Sequence, residues 1–512
     1  MTLDPSRPRA TSLLIDEGRI VALDAGATVS PETSLVDLGG KTVLPAFGDC
    51  HTHFTFTGCQ VIDCSLIDCR STAALQEQVD DAASTYAGPV IRGWQLNDAL
   101  FTDRRPTRVD LDAVVPDRPV LLSRVGNGAA LLNSAAMTAI GIDTRVPTVE
   151  LQDGVPTGWV WGEANHRALE FAVQSLDERE IADAAAATAS LALQEGSTTL
   201  HAIEGSFAGQ ALGHRDRAND WLDRLTPALS SLPIDVVLLD SQLDSPADLR
   251  RIARNGHRVA GGDLFFDGVL GAAYIPGMAR AALDAPYLDG DRGVGQLFLD
   301  DETAECFLRT AAEEGVSLAA HAVGERAVAQ FLDRWEAVLA DLPEARALRP
   351  RIDHGILVRP DDIARAGELG VVFSMQPVFE TRSGGPDGQY AARVGTERAA
   401  RTHQFRSLRN AGVVIAGGSD SPLNPIAPLE GIRAAVNHSV EDERLSPLEA
   451  IEVFTTGIAY AGFQEEDHGA LKPGYVANLV VLDVDPTDRD LLSRCRVEET
   501  WYRGRQVYRS NA

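Results

Sequence analysis

The middle of this 512-residue chain alternates between helix-like segments and short apolar segments, and this alternation restricts the fold more than any other feature. The alanine-rich stretch EIADAAAATASLALQEG is typical of a helix, and STTLHAIEG, which follows it, is typical of a strand. The same order recurs in ETAECFLRTAAEEG and VSLAAHAVG, and in HQFRSLRNAG and VVIAGGSD. Counted from VLPAFGDCHTH, the pattern gives eight strands. It predicts an α/β fold with parallel strands closed into a (β/α)8 TIM barrel.

Both ends of the chain instead consist of short β-like runs separated by Gly and Asp, such as SLLID, RIVALD and VANLVVLDVD. We therefore predict one small sheet domain built from residues 1–45 and 469–512, around a barrel domain at 46–468. About 140 residues separate the first barrel strand from STTLHAIEG. We expect an insertion at about 60–190 that carries a lid or a substrate-recognition subdomain, because long insertions in barrels fall on functional loops.

Charge and hydropathy limit the kinds of partner. The formal net charge is −28, which argues against nucleic acid or an anionic membrane as a partner, because both require a cationic surface. No run of about 18 apolar residues predicts a membrane span, and the N-terminal residues show no apolar signal region. We expect a cytoplasmic protein. Four cysteines lie close together, Cys50, Cys59, Cys64 and Cys69, but no CxxC spacing occurs among them. Small buried thiols are the favoured interpretation over a metal site or disulfides.

Histidines and an aspartate fall at the ends of four predicted strands: His51 and His53, His321, His354 and Asp420. Barrel enzymes carry their catalytic groups at this face. Side chains two residues apart on a strand point the same way, so His51 and His53 can bind one cation from one side. Each residue alone also fits a structural role, as a buried histidine or a turn cap. Together, neutral imidazoles and a carboxylate suit a zinc-like ion with a position open for water.

These motifs resemble the amidohydrolase superfamily, in particular its branch of metal-dependent hydrolases that contains N-substituted formamide deformylases. The resemblance covers nearly the whole chain, and it rests on His51-Thr52-His53, LAAHAVGERAV, RIDHGILVRPDDIARAGELGV, SMQP and GGSDSPLNPIAPLEGIRAAV. It implies a TIM barrel with a small β-sandwich domain built from both termini. It also implies a homodimer that acts on a small-molecule substrate.

The resemblance further implies a role for each strand-end residue. His51 and His53 would bind the more buried metal ion. His321 and His354 would bind a second ion, or His354 would orient the attacking water if one ion is bound. Asp420 would be a metal ligand and the catalytic proton shuttle. Zn²⁺ is the expected ion, one or two per chain, although Mn or Fe also suits imidazole and carboxylate ligands.

Two positions depart from the pattern of this branch. Its fourth barrel strand reads like KLFADG, with a lysine that can bridge two metal ions when carbamylated, whereas this chain reads DLFFDG with Asp263 at the lysine position. A carboxylate is also anionic but shorter, so Asp263 is either a metal ligand or a carboxylate outside the ligand set. In the insertion, Gly128 replaces a histidine found in relatives, which implies a roomier pocket or one that recognises a different group.

Position near strand ends also selects five candidate substrate-binding residues. Each of them fits packing or structural hydrogen bonding as well as binding. The candidates are Trp94, Asn97, Glu204, Tyr274 and Gln376.

The expected function is hydrolysis of a C–N bond in a small amide, formamide or cyclic amide by metal-activated water. One alternative is a mononuclear deaminase of an amino-heterocycle, with His354 activating the water. Another is a relative that catalyses a non-hydrolytic step such as decarboxylation, or that only binds its ligand. The aspartate at the lysine position motivates this last alternative.

Overall fold

The computed structural model describes residues 1–24, 33–205, 221–270, 279–290 and 293–510. Within these ranges, the strands are β1 Leu13–Asp16, β2 Arg19–Leu23, β3 Thr42–Pro45, β4 Phe47–Thr52, β5 Cys64–Ser65, β6 Ile91–Leu96, β7 Val120–Arg124, β8 Ala129–Leu132, β9 Val149–Gln152, β10 Val155–Trp161, β11 Ser197–Glu204, β12 Asp235–Asp240, β13 Val259–Phe265, β14 Ser317–Ala322, β15 Arg351–His354, β16 Val372–Met375, β17 Ile415–Gly417, β18 Leu479–Leu482, β19 Val497–Tyr502 and β20 Arg505–Arg509.

Within the same ranges, the α-helices are α1 Phe54–Ile62, α2 Thr72–Thr85, α3 Arg108–Asp112, α4 Ser134–Ile140, α5 Gly162–Gln174, α6 Glu178–Gln194, α7 Trp221–Ser230, α8 Asp248–Arg254, α9 Asp301–Glu314, α10 Glu325–Asp341, α11 Pro360–Leu369, α12 Pro377–Ser383, α13 Ala391–Val394, α14 Thr396–Ala399, α15 Phe405–Asn410, α16 Pro428–Val436, α17 Pro447–Val453, α18 Thr456–Ala461 and α19 Arg489–Leu492. Short 3₁₀ helices cover Asp98–Leu100, Pro343–Leu348 and Glu441–Glu443.

Eight parallel strands form the central sheet, in the order β17-β16-β15-β14-β13-β12-β11-β4. The two outer strands of this order meet through a parallel bridge between Thr52 and Ser421. Two backbone hydrogen bonds of 2.9 Å close the same seam, from His53 N to Ser421 O and from Asp420 N to His51 O. The predicted TIM barrel is therefore confirmed. The closing seam carries three of the predicted site residues, so closure of the barrel also positions them.

The helices between the barrel strands follow the sequence signals that predicted them. In α9, the Asp300 side chain accepts a hydrogen bond from the Thr303 backbone N–H at the N-cap, and Gly315 ends the helix with a left-handed backbone at φ 72°. Phe307 and Leu308 lie on its buried face. Truncation of a buried phenylalanine such as Phe307 to alanine costs about 3–5 kcal/mol of stability, so this face holds the helix against the barrel.

The insertion after β4 contains a six-stranded sheet in the order β5-β6-β7-β8-β10-β9. Strands β5, β6 and β7 are parallel, and the others pair antiparallel. Leu66, Leu75, Leu122 and Trp159 belong to a hydrophobic core of its own. The insertion is therefore a folded subdomain with its own core, whereas its predicted role as a lid or recognition element stays a prediction.

The two ends of the chain pair with each other, as the β-like runs predicted. Strand β3 pairs antiparallel with β18 in a four-stranded sheet of order β20-β19-β18-β3, and β1 and β2 form a separate hairpin. Ile20 of the hairpin shares a hydrophobic cluster with Leu471 and Leu479. The β-sandwich arrangement and the domain limits stay predictions. Among the described helices, none is long and apolar enough to cross a membrane.

The cysteines are free thiols, in agreement with their interpretation from the sequence. Cys50, Cys59 and Cys69 are buried and Cys64 is partly buried. Burial raises the pKa of Cys50 to about 12 and holds the pKa of Cys59 well above its ordinary value. A protonated thiol is a poor nucleophile and metal ligand, so these residues act as small packing groups.

Candidate metal centre

His51 and His53 lie where β4 reaches the mouth of the barrel. His51 is fully buried inside the strand, whereas the side chain of His53, one residue past its end, is 22% exposed. Their ring centroids are 5.5 Å apart. His51 is therefore shielded from solvent, whereas His53 is partly open to it.

Two groups of side chains are arranged closely enough to hold an ion, and they share His51. The first consists of His51, His354 and Asp420, and the second of His51, His53 and Asp263. Within each group the ligand atoms lie within 4.8 Å of one another. Asp420 also connects the groups, because its Oδ1 is 3.6 Å from His51 Nε2 and 3.2 Å from His53 Nε2. Five predicted metal ligands thus surround one small space.

The hydrogen bonds of two histidines leave the nitrogens that a cation needs. His51 Nδ1 lies 2.9 Å from Asp353 Oδ2, and His354 Nδ1 lies 2.8 Å from Gln376 Oε1. Both partners are oxygen acceptors, so each Nδ1 carries the hydrogen and each Nε2 keeps its lone pair. Among the described residues, buried His51 Nε2 has no hydrogen-bond partner, which costs about 1–3 kcal/mol unless a ligand occupies it. This donor set fits a zinc-like divalent cation.

Burial and neighbouring charges set the protonation of the same residues. Burial lowers the pKa of His354 to about 4, so its imidazole is neutral, as a metal ligand must be. Burial also acts to lower the pKa of His53, but the nearby carboxylates of Asp263 and Asp420 outweigh it and raise that pKa to about 9. Burial raises the pKa of Asp263. A cation entering the site must therefore displace a proton from His53.

Asp420 combines a low pKa with a constrained backbone. Burial acts to raise its pKa, but the hydrogen bond with His53 and the proximity of His51 lower it below the ordinary value. Its backbone is left-handed, with φ at 59°, a conformation that costs a non-glycine residue about 1–3 kcal/mol. A Cβ on Gly418 would lie 2.9 Å from the Cβ of His51, so only glycine allows the loop that carries Asp420 to approach β4.

His321 lies beside these groups but belongs to neither. Its ring centroid is 4.5 Å from that of His354, and it packs on Phe265. Its Nε2 is 3.2 Å from the carbonyl oxygen of Gly268. A carbonyl only accepts, so Nε2 carries the hydrogen and Nδ1 alone remains to bind an ion. The role of His321 as a ligand of a second metal stays a prediction.

Two of the predicted substrate-binding residues lie at the border of the site. Gln376 is buried and orients His354 through the hydrogen bond described above, and its Nε2 donates to Ser374 O at 3.3 Å. Glu204 accepts hydrogen bonds from Thr55 N at 2.7 Å and from Trp221 Nε1 at 2.9 Å. Its carboxylate also contributes to the raised pKa of His53. Both residues support histidines of the ion-sized groups.

The other substrate-binding candidates have structural contacts or lie outside the described residues. Trp94 is buried, its ring centroid is 5.6 Å from that of Phe56, and its Nε1 donates to Asp63 Oδ2 at 2.9 Å. Asn97 precedes the 3₁₀ helix Asp98–Leu100, and its carbonyl accepts from Leu100 N. Tyr274 lies outside the described residues. Substrate contact by these three residues stays a prediction.

Sequence reasoning missed the buried groups that support the candidate ligands. Asp353 accepts from His51, and Asp49 accepts from the backbone N–H groups of His51 and Ser419 at 3.0–3.1 Å. Arg351 donates to Asp353. The segment RIDH did contain one signal. Arg351 and Asp353 alternate along a barrel strand and so point to the same side. Charged side chains buried inside a barrel need partners there.

Comparisons with known proteins indicate the family of this chain. A family model described as "Amidohydrolase family" matches residues 34–508. The N-substituted formamide deformylase of Arthrobacter pascens is 25% identical over 95% of this chain and 92% of its own length. Protein LONG AFTER FAR-RED 3 of Arabidopsis thaliana is 28% identical over 99% of this chain and 90% of its own length. The crystal structure of an uncharacterized metal-dependent hydrolase from Pyrococcus furiosus superposes with a TM-score of 0.73, at 26% identity over 94% of this chain and 96% of that one.

Proposed function

Because the chain belongs to the amidohydrolase family, we propose that this hydrolase cleaves a C–N bond in a small amide, formamide or cyclic amide. The observation that carries the proposal is the convergence of three histidines and two aspartates on one space, with His51 Nε2 left without a hydrogen-bond partner among the described residues. The Arthrobacter relative, which is named N-substituted formamide deformylase, supports the choice of bond.

His51, His53 and Asp420 would hold the ion, with His354 and Asp263 within reach of the same space. We expect Zn²⁺, one or two per chain, because neutral imidazoles and a carboxylate suit it. When bound, such an ion supplies an activated water and polarises the substrate carbonyl.

The protein's own residues would accept and transfer the proton of the attacking water. The lowered pKa of Asp420 keeps its carboxylate ionised near neutral pH, so it can accept a proton from the attacking water. The same carboxylate can then donate that proton to the leaving nitrogen, which converts the amine into a better leaving group. Burial keeps His354 neutral, and the bond to Gln376 holds its ring in a fixed orientation beside the reacting atoms.

A mononuclear deaminase of an amino-heterocycle is the second candidate. Its supporting observation is the bond between His321 Nε2 and the Gly268 carbonyl, which leaves His321 outside both ion-sized groups and favours a single ion. The two candidates differ in product. The first releases an amine with a carboxylic acid, or opens a cyclic amide to a single amino acid, and the second releases ammonia.

The test is an assay of chain purified without chelators against N-alkylformamides, N-acylamines, cyclic amides and amino-heterocycles. We expect release of an amine with formate or another acid, or opening of a cyclic amide to an amino acid, with loss of this activity after chelation and its return with Zn²⁺. Ammonia release from heterocycles without amide cleavage would contradict the proposal and support the deaminase.

Elemental analysis of the wild type and Asp263→Ala refines the proposal. We expect less metal per chain in the variant, because Asp263 Oδ2 lies 3.7 Å from His53 Nδ1 in the second ion-sized group. A fall from about two ions to about one would identify Asp263 as a bridging ligand. About one ion in both proteins would leave Asp263 outside the ligand set and favour the mononuclear chemistry.

A further inference from the structure

Below the ion-sized groups, the barrel interior contains charged side chains in place of part of the apolar layers that usually fill it. His51 Nδ1 is 2.9 Å from Asp353 Oδ2. Arg351 forms a fork on the same carboxylate, donating from Nε to Oδ1 at 2.6 Å and from Nη2 to Oδ2 at 2.8 Å. Its Nη1 also donates to His201 Nδ1 at 3.2 Å. All four side chains are buried, and they come from β4, β15 and β11.

The direction of each hydrogen bond in this network is fixed by chemistry. Arginine only donates, and an ionised carboxylate only accepts. Asp353 therefore receives two N–H groups from Arg351 and one from His51. These donors occupy both oxygens of its buried carboxylate. The lone pair of His51 is thereby directed away from Asp353, towards Asp420.

Stability alone does not explain this network. Removing charges from water is costly, and apolar residues of similar volume in the place of a buried ion pair are often neutral or stabilising. Apolar residues are also what such barrels ordinarily place in this layer. The feature that apolar residues could not reproduce is the acceptor for His51 Nδ1–H.

We propose that Asp353, held by Arg351, is a positioning residue for the metal centre. It holds the imidazole of His51 in the orientation and the tautomer in which Nε2 faces Asp420 and is free to bind a cation. A carboxylate acceptor also makes the imidazole a stronger ligand than a neutral acceptor would. The inference rests on the metal dependence in the proposed function, but not on the bond that is cleaved.

The chain offers a matched control in the insertion. Asp63 is also a buried carboxylate held by an arginine fork, from Arg92 Nε and Nη2 at 2.9 Å, and it also accepts one ring N–H, from Trp94 Nε1. No described hydrogen bond or ion pair joins Asp63 to a residue of the ion-sized groups. Asp63→Asn and Asp353→Asn therefore remove the same charge from the same kind of network, and they differ in whether a histidine of the metal centre is attached.

The experiment measures Zn²⁺ affinity by competition with a chromophoric chelator in full-length protein. We expect affinity to fall about 10- to 100-fold in Asp353→Asn and to stay within about twofold of wild type in Asp63→Asn. Nitrogen-15 spectra of metal-free, histidine-labelled protein give a second readout. The His51 signals should report a single Nδ1–H tautomer in the wild type and in Asp63→Asn, and a mixture in Asp353→Asn.

Wild-type affinity and an unchanged tautomer in folded Asp353→Asn would overturn the proposal, and so would an equal loss of affinity in both variants. If Asp353→Asn does not fold, Arg351→Lys replaces it, because this variant keeps the carboxylate but removes the fork. It should weaken Zn²⁺ binding by a smaller factor. Wild-type affinity in Arg351→Lys would overturn the role of the arginine. Since metal is counted rather than product, a wild type that binds Zn²⁺ but cleaves no amide would remove the proposed function and leave this inference intact.

Discussion

Two fully buried arginines hold carboxylates in this chain, Arg351 in the barrel and Arg92 in the insertion, and their networks end differently. Arg92 binds Asp63 through a fork and donates to Glu180 Oε1 at 2.7 Å, which connects the sheet of the insertion to helix α6. The Arg351 network passes through Asp353 to His51, whose other nitrogen is buried and has no hydrogen-bond partner in the described part of the chain.

A buried arginine–aspartate pair therefore has two different roles in this chain. In the insertion, the charges satisfy one another and join two elements of the fold. In the barrel, the last member of the network leaves one polar atom unsatisfied at the mouth, which stability would not favour but a bound cation would explain. The end point of a buried hydrogen-bond network, rather than its members, distinguishes a structural role from a functional one.

Asp420→Asn is the strongest test that the barrel network serves a functional site. We expect kcat to fall about 10²- to 10⁴-fold, because the variant cannot accept a proton and is a weaker metal ligand. The fold should remain, since Asn fits the same left-handed backbone. Turnover of the best substrate from the amide panel, with circular dichroism for folding, measures this. Asp63→Asn serves as the control, and a folded Asp420→Asn that keeps most activity would remove Asp420 from the mechanism.

Arg92→Met tests whether the network in the insertion has a structural role. Removal of one partner leaves the carboxylates of Asp63 and Glu180 buried without their cation, so the free energy of unfolding should fall by about 3–5 kcal/mol. Urea denaturation measures the change. Zn²⁺ affinity of the folded fraction should equal that of the wild type, and a large loss of metal binding without a loss of stability would mean that the two networks do not differ as described.

The sequence predicted well those features that depend on local pattern or on position along a strand. Helix–strand alternation gave the barrel, and position at strand ends selected His51, His53, His354 and Asp420. The network below them depends on partners that are remote in sequence, such as Asp353, 302 residues from His51. A strand pattern shows which way a side chain points but not which residue it meets.

The same limit explains why Trp94 was selected as a substrate-binding candidate although its observed contacts are structural. Its place after PVIRG was compatible with a pocket, and nothing local indicated that its indole would donate to Asp63. Gln376 was selected for its position at a strand end, but its bond to His354 depends on how neighbouring strands register in the closed barrel. Residue type and spacing thus selected candidate ligands more readily than the groups that orient them.

The charges at the barrel mouth also predict that the stability of the metal-free protein and its Zn²⁺ affinity depend on pH. Asp263 and Asp420 raise the pKa of His53 to about 9, above the ordinary value of about 6.5. The stabilisation from protonated His53 is therefore complete below about pH 6.5 and is lost as the pH rises through about 9. Chelator-treated protein should lose thermal stability across this interval, and Zn²⁺ affinity should increase across it.

Thermal unfolding of metal-free wild type and His53→Gln between pH 6.5 and 9.5 measures this effect. The decline in Tm should be much smaller in the variant, which has no imidazole to titrate at this position. The Asp420 carboxylate, whose pKa is lowered, contributes its stability above its ordinary pKa and does not change in this interval. Parallel curves for the two proteins would show that His53 does not carry the raised pKa.

The smallest expected effect comes from an arginine–carboxylate pair that is not buried. Arg179 and Asp183 lie one turn apart on α6, with Nε and Oδ2 3.6 Å apart and side chains 88% and 58% exposed. Water screens this pair, and an arginine that precedes its acidic partner near a helix N-terminus opposes the helix dipole. Arg179→Ala should therefore change the free energy of unfolding by less than about 0.5 kcal/mol, measured by urea denaturation beside Arg92→Met. Equal losses in the two variants would mean that burial does not determine the strength of these pairs, and the contrast between the barrel and insertion networks would lose its physical basis.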